Sequence, residues 1–186
     1  MDGAIADLTK AIEFNSLFVN AYMVRGNAER STSDLDSAIE DYTKVIEINP
    51  GSADAYFNRG ATKSANGDLD GAIADFTKAI RINPNLAEAY VNRGVARASN
   101  GDLDGAIADF TKAIEINPNL AEAYVSRGAA KGTKGDLDGA TADFTKAIEI
   151  NPNLAEAYLN RSAARTTKGD VDGADADSAA AARLKK

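Results

Sequence analysis

Aspartates that recur between apolar segments are the residues best suited to chemistry in this sequence. Asn100, Asp102 and Asp104 alternate as the oxygen ligands do in the first half of a calcium-binding loop. Such a loop needs a bidentate glutamate at its twelfth position, which is Thr111 here. In the next such turn the first ligand position is Lys134, which repels a cation. We therefore interpret the aspartates as helix caps and predict no metal and no cofactor.

Nucleophilic catalysis also lacks its usual residues. The chain has 186 residues with no histidine and no cysteine, and its serines and threonines have no evident activating base. We predict that the protein is not an enzyme. With 28 acidic and 21 basic residues the net charge is −7, and no basic stripe favours nucleic acid.

No apolar run is long enough for membrane insertion, and no signal peptide is evident. We expect a soluble protein, with the cytoplasm as the default and the compartment otherwise unknown.

Arginine and aspartate recur at a separation of sixteen residues. Arg25 and Asp41 form the first such pair along the chain. The others are Arg59 with Asp75, Arg93 with Asp109, Arg127 with Asp143, and Arg161 with Asp177. We favour ion pairs between packed helices over an anion-binding stripe, because a partly buried arginine must be paired.

The elements that position these residues repeat every 34 residues. The segment 101–124 returns at 135–158 with one change, Ile107 to Thr141. Each repeat contains two segments with helical periodicity, such as Ala106, Phe110 and Ala113 on one face of the second. We call these the first and second helices and predict eleven in all, with no strand.

Turn residues separate the predicted helices. Gly101 suits the left-handed conformation that ends a first helix, and either Asp102 or Asp104 can cap the second helix. Asn117 precedes a proline and should end the second helix, and Asn119 can cap the next first helix.

These residues resemble the tetratricopeptide repeat. Its motif is an aromatic in the first helix, a small residue four positions later, a small–aromatic–small trio in the second helix, and a proline. The aromatics here are Tyr22, Tyr56, Tyr90, Tyr124 and Tyr158, and the small residues are Gly26, Gly60, Gly94, Gly128 and Ser162. The prolines are Pro50, Pro84, Pro118 and Pro152. The resemblance implies an all-α fold, a right-handed superhelical solenoid of stacked antiparallel helix pairs.

The repeats divide the chain into a half repeat and five further repeats of one solenoid domain. Their boundaries are 1–18, 19–52, 53–86, 87–120, 121–154 and 155–186. In the last repeat Ser178 replaces the aromatic and Asp175 an isoleucine, which suits a terminal helix facing water. The half repeat contains only a second helix, so we expect Ile5, Leu8 and Ile12 to leave apolar surface exposed.

The resemblance also implies a peptide-binding groove lined by the first helices. The predicted groove residues are Asn20, Met23, Asn27, Phe57, Asn58, Glu88, Val91, Asn92, Val95, Glu122, Val125, Ser126, Leu159 and Asn160. Asparagines can hydrogen-bond a peptide backbone, and the glutamates should repel acidic guests. Chaperone-binding members clamp a carboxylate with lysines, whose positions are Met23 and Glu88 here, so we predict no such clamp.

We therefore predict a non-catalytic scaffold that binds an apolar or basic segment of a protein partner. Three alternatives stay open: self-assembly into homo-oligomers through the N-terminal half repeat, a targeting domain of a larger protein, or a groove surface that is merely solvated.

Overall fold

The computed structural model describes residues 2–184, and over this range it contains eleven α-helices and no strand, as the repeat predicts. The second helices are α1 (Asp2–Phe14), α3 (Leu35–Ile48), α5 (Leu69–Ile82), α7 (Leu103–Ile116), α9 (Leu137–Ile150) and α11 (Val171–Leu184). The first helices are α2 (Val19–Ser31), α4 (Ala53–Ala65), α6 (Ala87–Ser99), α8 (Ala121–Thr133) and α10 (Ala155–Lys168).

Turn chemistry sets these boundaries. Gly101 has φ +86°, and Asp102 Oδ1 accepts a hydrogen bond from the Gly105 amide at 2.9 Å, so Asp102 is the cap of α7. Asp104 instead pairs with Lys134 of the following turn.

The prediction that Asn119 caps a first helix is wrong. The residue before α8 is Leu120, which makes no capping side-chain bond. Asn117 organises this turn instead, because its Oδ1 accepts a hydrogen bond from the Asn119 amide at 3.1 Å.

Consecutive helices form antiparallel hairpins. In α10–α11, Arg165 Nη1 lies 3.0 Å from the Gly173 carbonyl oxygen, near the turn. Further from the turn, Arg161 Nη2 lies 2.6 Å from Asp177 Oδ1. The contacting residues are eight apart near the turn and sixteen apart away from it, as antiparallel pairing requires.

The structure has two compact units, which divide between Ala96 and Arg97. In the first unit a core cluster forms around Tyr22, Val45 and Ala55. In the second unit the corresponding cluster comprises Tyr124, Val125, Ala140, Phe144, Ala147, Ala157 and Ala164. The expectation of one continuous solenoid domain stays a prediction.

Small residues are required where the two helices of a hairpin cross each other. A Cβ added at Gly128 would lie 2.7 Å from Phe144 Cε1, closer than real contacts allow. In α10–α11, Ser162 takes the place of the glycine and Ser178 that of the ring, and their Oγ atoms lie 2.9 Å apart. A polar contact thus replaces the apolar one in the last hairpin.

Candidate functional site

The predicted arginine–aspartate pairs are bidentate forks within each unit. Arg127 Nη2 lies 2.7 Å from Asp143 Oδ1, and Arg127 Nε lies 2.9 Å from Asp143 Oδ2. Arg25–Asp41, Arg59–Asp75 and Arg161–Asp177 have the same arrangement. The Arg93–Asp109 pair stays a prediction.

Each arginine also contacts a threonine that sequence reasoning missed. Arg127 Nη1 donates to Thr111 Oγ1 of the preceding second helix at 3.1 Å, and its guanidinium lies 5.5 Å from the Tyr124 ring centre. The guanidinium thus joins three helices and is engaged on both edges and one face. The recurrence of a threonine every 34 residues could have revealed this contact. The forks therefore hold helices together rather than offering an anion site.

The hairpin α2–α3 differs from others in the charge of the residue that follows the fork arginine by four positions. This residue is Glu29 in α2, whereas it is Lys63 in α4 and Lys131 in α8. The Glu29 side chain is buried, and its Oε1 lies 3.6 Å from Arg25 Nε. Burial, and then the charge of Asp41, raise the pKa of Glu29 to about 7.

The predicted groove residues all lie on first helices. Met23, Phe57, Asn58, Val91, Asn92, Ser126 and Asn160 are half-buried, whereas Asn20, Asn27, Glu88, Val95, Glu122 and Leu159 are exposed. Val125 is only 5% exposed because it packs in the core of the second unit.

In the first unit the structure brings some of these residues together. Asn58 Nδ2 lies 3.5 Å from Met23 Sδ, so α2 and α4 meet at these positions. Asn27 Oδ1 accepts a hydrogen bond from the Tyr42 hydroxyl at 2.8 Å. One hydrogen bond of the Asn27 side-chain oxygen is therefore made inside the protein.

In the second unit a cavity of about 240 Å³ opens between α8 and α10. We call it the apolar cavity. Its lining is Gly128, Ala129, Gly132, Leu137, Ala140, Phe144, Asn160, Ala163, Ala164 and Thr167. Asn160 contributes the amide, and Thr167 Oγ1 is engaged with the Ala163 carbonyl at 3.0 Å. The floor comes from α9, and small residues on both walls keep the cavity open.

A second cavity, of about 250 Å³, lies towards the N-terminal ends of the same two helices. We call it the acidic cavity, and it is lined by Glu122, Val125, Ser126, Leu154 and Glu156. Glu122 and Glu156 are both exposed, and no basic residue lines the cavity. Two carboxylates on an apolar base favour a cationic group.

Two features are absent from the described residues 2–184, a candidate membrane span and a cluster of possible metal ligands. Over this range no helix is both long and apolar enough to cross a membrane. In the same part of the chain, no three carboxylates cluster in a way that could hold a metal ion.

Family models match most of the chain. Models described as tetratricopeptide repeat match residues 87–120 and 121–154, and a model described as TPR repeat matches 26–67 and 63–101. No curated protein matches the sequence.

Solved structures share the fold, two of them across at least 90% of this chain. A crystal structure of MamA protein is 29% identical with a TM-score of 0.82, covering 90% of this chain and 91% of that one. YrrB, described as a TPR protein with an unusual peptide-binding site, is 25% identical with a TM-score of 0.77, covering 95% and 91%. The first TPR of Spaghetti (RPAP3), bound to the HSP90 peptide SRMEEVD, is 26% identical with a TM-score of 0.62, covering 63% and 93%.

Proposed function

Because the chain belongs to the tetratricopeptide repeat family, we propose that it is a non-catalytic scaffold that binds a peptide segment of a partner protein between α8 and α10. The observation that carries this proposal is the apolar cavity, a concave site with a single uncommitted amide, Asn160. Two of the structurally similar proteins, YrrB and the first TPR of Spaghetti, are described as binding peptides.

The apolar cavity fits one apolar side chain of the guest. Its volume of about 240 Å³ and its lining of alanine, leucine and phenylalanine offer an aliphatic or aromatic group a largely apolar surface. Asn160 has a donor and an acceptor, so it can bond the guest's backbone beside that side chain.

The acidic cavity selects the charge of the guest. Glu122 and Glu156 would attract a lysine or arginine next to the apolar residue and repel an acidic one. The SRMEEVD peptide bound to Spaghetti is acidic. The resemblance to chaperone-binding members of the family implies that Met23 and Glu88 stand at positions where those members carry lysines. We therefore propose a guest of apolar and basic residues, with a different preference from that neighbour.

The first unit has predicted groove residues of its own. Asn20, Met23 and Asn58 lie on α2 and α4 and offer polar and thioether contacts to a guest of that unit. The proposal concerns the second unit, where the cavities on α8 and α10 anchor the side chains of the guest.

Peptide-display selection against the whole chain tests the proposal. We expect enriched peptides to share an apolar residue and a lysine or arginine at a fixed spacing. A chosen peptide is then titrated against two variants, Asn160→Ala and Ala163→Phe. Ala163 is exposed, so the phenylalanine should fill the cavity without disturbing the core, and we expect at least tenfold weaker binding.

Ala142→Phe is the matched control, because Ala142 is exposed on α9 and does not line the apolar cavity. This variant should bind like the native chain, with circular dichroism confirming that each variant is folded. Peptides that bind Ala163→Phe as tightly as the native chain would overturn the proposal, as would selection of acidic peptides.

A further inference from the structure

Lysine side chains occupy one position beside the fork aspartate in two hairpins. In α4–α5, Lys63 Nζ lies 2.9 Å from Asp75 Oδ2, the oxygen that also accepts the Nε hydrogen bond of the fork arginine. In α8–α9, Lys131 Nζ lies 2.8 Å from Asp143 Oδ2 in the same arrangement. A compact ammonium group therefore fits at this position, in contact with a buried carboxylate.

Arginine occupies the equivalent position in α10–α11. Arg165 Nη1 lies 3.0 Å from Asp177 Oδ2 and 3.0 Å from the carbonyl oxygen of Gly173. The same two contacts, at 2.8 and 3.4 Å, join Arg97 Nη1 to Asp109 and Gly105. The position thus presents a carboxylate oxygen and a backbone carbonyl oxygen to a positive charge.

The hairpin α2–α3 has a carboxyl group here instead of a cation. Glu29 is 7% exposed, and its Oε2 is buried without a hydrogen-bond partner among the described residues. Its Oε1 lies 3.6 Å from Arg25 Nε, beyond hydrogen-bonding distance. Asp41 also faces Glu29, but two ionised carboxylates are both acceptors, so a hydrogen bond between them requires a proton on Glu29. An unpaired buried carboxylate oxygen costs free energy, which favours binding of a proton or another cation.

The charge balance of this hairpin also favours a cation. In α4–α5, two cationic side chains face the single carboxylate of Asp75. In α2–α3, the guanidinium of Arg25 faces two carboxyl groups, those of Glu29 and Asp41, and the charge of Asp34 acts on Glu29 as well. One further positive charge would balance the two carboxylates that share Arg25.

We propose that the hairpin α2–α3 binds a monovalent cation of the class of potassium and ammonium between Glu29 and Asp41, at the position that lysine fills in α4–α5 and α8–α9. The carboxylate ligands are Glu29 Oε2 and Asp41 Oδ2. The carbonyl ligand is that of Ser37, which corresponds to Gly173 in the repeat and has a second lone pair beyond its helical hydrogen bond. Helix α1 packs on α2 and α4 packs on α3, so the site is internal to the described part of the chain. The proposal is independent of the cavities between α8 and α10.

These oxygens suit a single charge rather than a double one. Calcium takes about six to eight oxygen ligands, and among the described residues no group of three carboxylates is placed to hold a metal ion. A double charge would also be repelled more strongly by Arg25, whose Nε and Nη2 both donate to Asp41. A single charge satisfies the unpaired oxygen of Glu29 and leaves the fork in place.

Thermal unfolding at pH 8 tests the proposal. The whole chain is unfolded in potassium chloride and in tetramethylammonium chloride at equal ionic strength, since both cations screen charges but tetramethylammonium is too large for a buried site. In about 200 mM potassium we expect a melting temperature about 3 °C higher than in tetramethylammonium, because a cation that binds the folded state stabilises it. Ammonium chloride should act as potassium chloride does.

Two substitutions of Glu29 should remove the difference between the salts. Glu29→Lys supplies its own ammonium group, and Glu29→Gln removes the charge of one ligand while nearly preserving its size. Glu40→Gln is the matched control, because Glu40 is exposed on α3, and this variant should respond to potassium as the native chain does. A potassium effect of native size in Glu29→Gln would overturn the proposal.

Lowering the pH to 5 should also abolish the potassium effect in the native chain. Burial raises the pKa of Glu29 to about 7, so at pH 5 a proton occupies the oxygen that the cation needs. The charged and titratable groups that face Glu29 are Arg25 on its own helix, Asp34 in the turn, and Asp41 and Tyr42 on α3. A potassium effect as large at pH 5 as at pH 8 would count against the site.

Nuclear magnetic resonance locates the bound cation. When potassium chloride replaces tetramethylammonium chloride at constant ionic strength, the amide signals of Glu29, Ser37 and Asp41 should shift saturably in the native chain and not in Glu29→Lys. Three results would overturn the proposal: no saturable shift at these amides, equal melting temperatures of the native chain in the two salts, or stabilisation by millimolar calcium without stabilisation by potassium.

Discussion

The hairpins α2–α3 and α8–α9 hold the same ion pair in opposite electrostatic surroundings. The fork distances are nearly equal, with 2.7 Å between Arg25 Nη2 and Asp41 Oδ1 and 2.7 Å between the corresponding atoms of Arg127 and Asp143. The difference lies one turn further along the first helix. Lys131 Nζ lies 2.8 Å from Asp143 Oδ2, whereas Glu29 brings a second carboxyl to Asp41.

The comparison separates geometry from charge. The fork forms in both hairpins, so its geometry depends on the packing of the helices and not on a second cation. The charge balance does depend on that cation, because Asp143 has two positive partners and Asp41 shares one with Glu29. We expect the first hairpin to be the more sensitive to mutation and to pH.

Removing the fork arginine should give the largest difference in lost stability between the two hairpins. Arg25→Met leaves two buried carboxyl groups without a cation, and we expect a loss of about 3 kcal/mol in the free energy of unfolding. Arg127→Met leaves Lys131 beside Asp143, so a loss of about 2 kcal/mol is expected. Urea unfolding followed by circular dichroism measures both. Equal losses would show that Lys131 does not compensate.

Adding the missing cation to α2 should make the charge balance of the two hairpins more alike. Glu29→Lys reproduces the pattern of Lys131 and should stabilise the protein by about 1 to 2 kcal/mol at pH 8, since it replaces a buried carboxyl with a partner for Asp41. Glu40→Lys is the matched control: Glu40 is exposed on α3, and its substitution should change stability by less than about 0.5 kcal/mol. A Glu29→Lys variant no more stable than this control would contradict the electrostatic interpretation.

The sequence predicts the repeated features and not the exceptions. The period of 34 residues is sufficient to predict the eleven helices, the glycines at which the helices of a hairpin cross, and the arginine forks, because each of these features recurs several times. Glu29 occurs once, and its burial beside Asp41 depends on how closely α2 and α3 pack. A single substitution in one repeat gives no periodic signal.

The candidate site, too, can be predicted from the sequence only in part. Positions on first helices are predictable, but the cavity between α8 and α10 depends on the separation of two helix axes. Val125 illustrates this, because its position predicts a groove residue, yet it is 5% exposed and packs in the core with Phe144. Gly132, which helps to open the cavity, was not among the predicted site residues.

The stability of the protein should fall as the pH rises, because the buried Glu29 loses its proton. Its pKa in the folded protein is about 7, above the ordinary value of 4.5, so the folded state holds the proton more tightly. Its stabilising contribution is complete below pH 4.5 and is lost as pH rises through 7. Arg25, Asp34 and Asp41 are the charged groups that face it.

Glu29→Gln should therefore be about 1 kcal/mol more stable than the native chain at pH 8 and about equally stable at pH 4. Urea unfolding at several pH values measures the difference. Glu40→Gln supplies the control for an exposed carboxyl, and a difference between Glu29→Gln and the native chain that does not vary with pH would exclude Glu29 as its source.

The smallest effect should come from the last turn of α8, where Gly132 stands at the position of Arg30 in α2. A Cβ at Gly132 would meet Ala140 Cβ at 3.7 Å, an ordinary contact, so Gly132→Ala should stabilise the helix by about 0.5 kcal/mol. Gly128→Ala is the contrasting variant, because its Cβ would lie 2.7 Å from Phe144 Cε1 and should destabilise the protein. Thermal unfolding distinguishes them. If Gly132→Ala raised the melting temperature but weakened peptide binding, the open space at the apolar cavity would be retained for binding at the expense of helix stability.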